Sequence, residues 1–157
     1  MKPKLYIETS IVSYLTARPS RNIITAARQE LTRQWWAQER DHYELFISEF
    51  VLLEAGAGDA DYARLRLEAL REVPEVELPN EIRALAVSLV EPGPIPQKAG
   101  IDALHIAAAV AGGADYLLTW NFKHLANAVL RKRIDAVCRS NGYEPPVICT
   151  PEELMSL

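Results

Sequence analysis

Hydrophobic positions along the chain follow two rhythms. Short continuous apolar runs end on polar residues, and between them lie longer segments whose apolar positions recur every three or four residues. The first run, residues 3–8, predicts a strand followed by a helical turn or two through Leu15. Residues 22–40 predict a helix, with Ile23, Ile24, Ala27, Leu31 and Trp35 at helical spacing. "ELFIS" (44–48) reads as a strand, and "EFVLLEAGAG" as a helix stopped by Gly56 and Gly58. A charged helix follows over 60–72, then a short strand "VEL" near 76–78 and a helix over 80–91. "GIDALHIAAAVAGG" is a helix with glycines at both ends, "DYLLT" (115–119) a strand, 127–141 a basic helix, and "PVIC" (146–149) a strand. "TPEELMS" closes the chain as a capped helix.

Strands alternating with helices predict βαβ units, hence a three-layer α/β/α sandwich around a central, mostly parallel sheet. The strands carry no polar alternation, in keeping with burial on both faces. No repeat or interdomain linker interrupts residues 1–157, so one domain is expected. The prolines collect at element boundaries: Pro74, Pro79, Pro92, Pro94, Pro96, Pro145 and Pro146.

In such a sheet the C-terminal strand ends and the N-terminal helix ends share one rim, where α/β folds hold their sites. Glu8 ends the first strand, Asn121 follows "DYLLT", Asp102 opens an almost wholly apolar helix, and Glu54 lies inside "FVLLEAGAG". Asp115, at the start of its strand, belongs to the opposite edge. Burying carboxylates together is costly, through desolvation and mutual repulsion. A hard divalent cation, Mg²⁺ or Mn²⁺, relieves both costs with oxygen ligands. Taken singly, each residue has another use. Asp102 can cap its helix, Glu54 can pair with a buried arginine, Glu8 can cap the next helix with Thr9 and Ser10, and Asn121 can make a turn. Convergence of four on one rim favours the cation.

Composition narrows the classes. At 157 residues with 49% hydrophobic and 24% charged, the chain is ordinary for a globular protein. No apolar run approaches the roughly 20 residues of a membrane span, and no signal-peptide core follows the N-terminus, so the cytoplasm is the expected location. A net charge of −4 gives no global basic field for nucleic acid, although a bound cation can invert the local sign. Cys138 and Cys149 lack metal-ligand or redox spacing and read as small hydrophobes. No glycine-rich phosphate loop and no Ser–His–acid arrangement is present.

"LYIETSIVSYL", "SEFVLLEA", "DALHIAAA" and "DYLLTWNF" fall in the order and spacing of the PIN-domain ribonucleases, and the chain resembles in particular the VapC-like toxins of prokaryotic toxin–antitoxin pairs. The resemblance spans nearly the whole chain. It implies Mg²⁺-dependent hydrolysis of RNA phosphodiesters, a small antitoxin partner and frequent homodimers. It assigns metal binding to Glu8, Glu54, Asp102 and Asn121, with Ser10 and Thr119 as hydroxyls steadying the acids. Two positions depart from the commonest family pattern, which has Asp where this chain has Glu8 and Asn121. The first lengthens the arm by a methylene; the second keeps an oxygen and loses a charge.

His105, one turn after Asp102, can orient that acid or sit hydrogen-bonded and half-buried. Lys123 and His124 read as a solvated loop, and Arg131, Lys132, Arg133 and Arg139 as a charged solvent face that can also meet phosphates. Trp35 reads as core, while Trp120 beside the rim can stack a base. Two rivals stand beside the nuclease. One is a PIN-like module that has lost catalysis and binds RNA or a protein. The other is a flavodoxin-like phosphoacceptor or phosphatase domain, for which Glu8 is a poor substitute for an Asp nucleophile.

Overall fold

The computed structural model describes residues 1–156. Five strands form one all-parallel sheet in the order β3-β2-β1-β4-β5. These are β1 (Lys4–Ile7), β2 (Glu44–Ser48), β3 (Glu75–Val76), β4 (Tyr116–Leu118) and β5 (Val147–Cys149). Tyr6 stands in register with Phe46 on one side and Leu117 on the other, which makes β1 the central strand. Leu5, Tyr6, Ile7, Leu117 and Leu118 are wholly buried, as a strand covered on both faces requires.

Among the described residues seven α-helices cover the sheet: α1 (Thr9–Thr16), α2 (Ile23–Gln38), α3 (Glu49–Ala55), α4 (Ala60–Leu70), α5 (Arg83–Leu89), α6 (Gly100–Ala111) and α7 (Ala128–Ser140). The chain steps from β1 to β2 to β3 in one direction, then jumps back beyond β1 to β4. Right-handed crossovers therefore set α1 to α4 on one face and α5 to α7 on the other. Packing follows that division, with α1 on α2 and α4, and α5 on α6 and α7, while α3 also meets α6. The jump makes the crevice between the C-terminal ends of β1 and β4 a topological switch point.

Local chemistry sets the boundaries. Asn22, Ser48, Asp59 and Asn127 cap α2, α3, α4 and α7 through their side chains. The expected helix over 80–91 is a 3₁₀ turn, Asn80–Ile82, running into α5, and the short strand near 76–78 pairs one residue earlier, Ile47 with Glu75. The expected final capped helix is a 3₁₀ helix of four residues, Pro151–Leu154, with a Thr150–Glu153 capping box. Gly112 closes α6 where a Cβ would collide with the Phe46 ring, so glycine is what lets the helix end approach β2. Among the described residues no helix is long and apolar enough to cross a membrane.

Candidate metal and nucleic-acid site

Glu8 follows β1 directly and is the N-cap of α1. Its Oε1 accepts hydrogen bonds from Ser10 N (3.1 Å), from the Ser10 hydroxyl, and from Thr119 Oγ1 (2.6 Å). Three donors on one oxygen fix the carboxylate and leave Oε2 without a hydrogen-bond partner among the described residues. The side chain caps its helix and faces the switch point at once, so the two uses open to it in the sequence coexist.

Glu54 reaches the same crevice from α3. Its Oε1 accepts from Thr9 Oγ1 and from His105 Nε2, each at 2.6 Å. Its partner is thus a histidine, not an arginine. His105 is fully buried and continues inward, with Nδ1 2.7 Å from the Tyr6 hydroxyl, which lies 2.7 Å from Ser48 Oγ. Ser48 Oγ also accepts from Phe50 N. With a neutral imidazole these bonds run one way: Ser48 donates to Tyr6, Tyr6 to Nδ1, and Nε2–H to Glu54. Burial, the largest influence on Tyr6, pushes its hydroxyl far above the ordinary phenol range and keeps it a donor. For Glu54 burial pulls upward, but the His105 and Thr9 hydrogen bonds, with the electrostatic pull of the His105 ring, outweigh it and hold the carboxyl below its ordinary value.

One carboxylate oxygen of Glu8, one of Glu54 and a ring nitrogen of His105 all lie within 4.8 Å of one another. Neither acid pairs with a lysine or arginine among the described residues. A ring N–H that donates to Glu54 does not ligate at the same time, so His105 steadies the acid and the free carboxylate oxygens are the atoms left to meet a cation. This oxygen-rich set, with negative charge that nothing cationic neutralises, fits Mg²⁺ or Mn²⁺.

Asp102 lies outside that trio. It is the third residue of α6 rather than the N-cap, which is Ala99, and it is buried. Its Oδ2 lies 2.9 Å from His124 Nδ1, and its Oδ1 accepts from Asn121 Nδ2 at 3.2 Å. His124 is therefore an acid partner, not a solvated loop residue, and His105 orients Glu54 rather than Asp102. The Asn121 amide oxygen accepts from Lys123 N and His124 N, which uses both its lone pairs. In this arrangement Asn121 presents its NH₂ to Asp102 and no free oxygen to a cation. Asn121 N donates to Thr119 Oγ1 (2.9 Å), which donates to Glu8, so hydrogen bonds run unbroken from Asp102 to Glu8. Asp115 accepts from Lys4 N at the far edge of the sheet.

Sequence reasoning gave no site role to Tyr6, Ser48 or His124, and set Thr9 beside Glu8 where its hydroxyl instead donates to Glu54. His124 carried a faint signal, three residues beyond Asn121 in a turn. Tyr6 carried none, since a buried strand does not announce which face a hydroxyl takes.

No family model matches the chain, and no curated protein matches it in sequence. Among solved structures it is similar to VapBC2 from Rickettsia felis bound to a DNA fragment from their promoter. The similarity covers 93% of this chain and 97% of that one, at 18% identity and a TM-score of 0.53. The two chains share a fold. At this identity the likeness speaks of architecture alone, an α/β sandwich around a parallel sheet.

Proposed function

We propose that the protein is a divalent-cation-dependent ribonuclease of the PIN type, hydrolysing RNA phosphodiester bonds in the cytoplasm as the toxin of a toxin–antitoxin pair. The observation that carries this reading is the convergence of the Glu8 and Glu54 carboxylates, each with an oxygen unpartnered and neither paired with a lysine or arginine among the described residues. The fold shared with a VapBC2 structure supports it, and that neighbour's name is the ground for proposing a small antitoxin partner. A homodimer is proposed on family resemblance.

Glu8 and Glu54 would hold Mg²⁺ or Mn²⁺, with Asp102 across the crevice as a further acid. A cation bound there supplies a lowered water pKa and charge neutralisation at the phosphate. Ser10 and Thr119 orient the Glu8 carboxylate, and Thr9 and His105 orient that of Glu54. Asn121 and His124 hold the Asp102 carboxylate in orientation, one on each oxygen. No side chain need act as a nucleophile.

The commitment of the Asn121 oxygen to its own turn favours one second reading, a PIN-like module with weakened or lost catalysis that binds RNA or a protein. Incubating purified protein with RNA in Mg²⁺, Mn²⁺ or chelator separates the two. The nuclease reading expects cleavage in either metal, none in chelator, and none from Glu54→Gln or Asp102→Asn. Equal RNA survival in all lanes would favour the binding module.

A further inference from the structure

The stretch from Thr119 to His124 alternates between two tasks. Thr119, Asn121 and His124 turn to the acids, bonding Glu8 and Asp102. Trp120 and Phe122 turn the other way, onto α1 and α2. The Trp120 ring stacks on Tyr14 at 6.0 Å with 16° between planes, and its Nε1 donates to Thr32 Oγ1 at 2.7 Å. Trp120 N donates to Ser10 Oγ, the same hydroxyl that binds Glu8. Phe122 lies 6.0 Å from Trp120, and the Arg28 guanidinium sits 4.5 Å over the Phe122 ring and 5.8 Å from Trp120.

Two features separate this cluster from ordinary surface packing. Phe122 remains 40% exposed although apolar neighbours adjoin it. The Arg28 side chain makes no ion pair and donates no hydrogen bond to protein among the described residues, so its N–H fork is held in place by stacking yet unspent. A rigid aromatic face beside an uncommitted guanidinium, one residue along the chain from the Asn121 that bonds Asp102, is complementary to a base and its adjoining phosphate.

We propose that Phe122 and Arg28, anchored on Trp120 and Tyr14, form a stacking subsite for single-stranded RNA flanking the acids. It rests on the ribonuclease reading for its choice of ligand and selects unpaired over duplex RNA, because only an unstacked base can lie on Phe122. The base sits on the ring, and Arg28 takes the neighbouring phosphate.

The test is fluorescence anisotropy of a labelled 12-nucleotide single-stranded RNA, in chelator, so that binding is read without cleavage. Phe122→Ala and Arg28→Gln should each weaken binding about tenfold, within the range of one lost stacked base. Phe122→Trp should restore it, and the duplex of the same sequence should bind weakly and indifferently to these changes. Unaltered affinity in both variants, equal affinity for duplex, or no RNA binding by the unmodified protein would overturn the subsite. Cleavage assays on the same proteins keep the two readings apart. Binding that depends on Phe122 without metal-dependent cleavage removes the nuclease and leaves the subsite. Metal-dependent cleavage with KM indifferent to Phe122→Ala removes the subsite and leaves the nuclease.

Discussion

His105 Nε2 lies 2.6 Å from Glu54 Oε1, and the imidazole is sealed from solvent while the carboxylate it holds is partly open. A buried donor thus aims an acid at the crevice from behind, backed by Tyr6 and Ser48. His105→Ala leaves the Tyr6 hydroxyl without its acceptor and opens a cavity, and should cost on the order of 3 kcal/mol in urea unfolding. His105→Gln, which can donate to Glu54, should recover part of that loss and part of the Mn²⁺ affinity, which is expected to fall about 10- to 100-fold in the alanine variant.

The depressed Glu54 carboxyl sets a pH signature. A carboxyl whose folded pKa lies below its unfolded value of 4.5 adds stability at higher pH. That contribution is complete above the unfolded pKa and disappears as pH falls through the folded one. Urea midpoints of the unmodified protein and Glu54→Gln should therefore differ at pH 7 and converge as the pH falls below 4.5 and on through the lower folded value. A gap that widens on acidification would contradict the assignment.

Glu8→Gln retains an oxygen for Ser10 and Thr119 while removing one of two neighbouring charges. In chelator it should melt no lower than the unmodified protein. Added Mn²⁺ should stabilise the unmodified protein by about 2.7 kcal/mol at a hundredfold excess over Kd, and the variant not at all. Calorimetric titration and thermal melts together read both arms.

Asn121→Asp tests the turn that follows β4. The new carboxylate can still accept from Lys123 N and His124 N, but it loses the NH₂ that faces Asp102 and sets two acids against each other. Metal-free stability should drop by about 1–2 kcal/mol and Mn²⁺ affinity should rise, both measurable in the same melts.

Cys138 and Cys149 are free and buried, and desolvation, the leading cause in each, lifts their thiols to about 11 and about 12. At pH 8 neither should react with a thiol reagent such as Ellman's until denaturant is added, when both should react fully. Prompt titration of the native protein would contradict this burial.

The sheet was legible because its strands are buried on both faces, so "KLYI", "ELFIS" and "DYLL" stand out as continuous apolar runs with polar ends. The crevice was legible from topology, since strand ends and helix starts meet on one rim. Partner choice was not. Helical spacing pairs His105 with Asp102, but α3 packs on α6 and delivers Glu54 to the imidazole instead. Asp102 finds His124 by way of a turn whose shape depends on where the Asn121 oxygen is spent. Such matters are decided by which elements touch, and periodicity carries no record of that.

Because neighbouring side chains after β4 leave the backbone in opposite directions, this loop cannot change length without swapping its occupants. One inserted residue after Thr119 would send an aromatic ring toward Asp102 and an amide toward Arg28. Redesign here is confined to exchanging letters, with the exposed Lys123 side chain free to vary and the count between Thr119 and His124 held fixed.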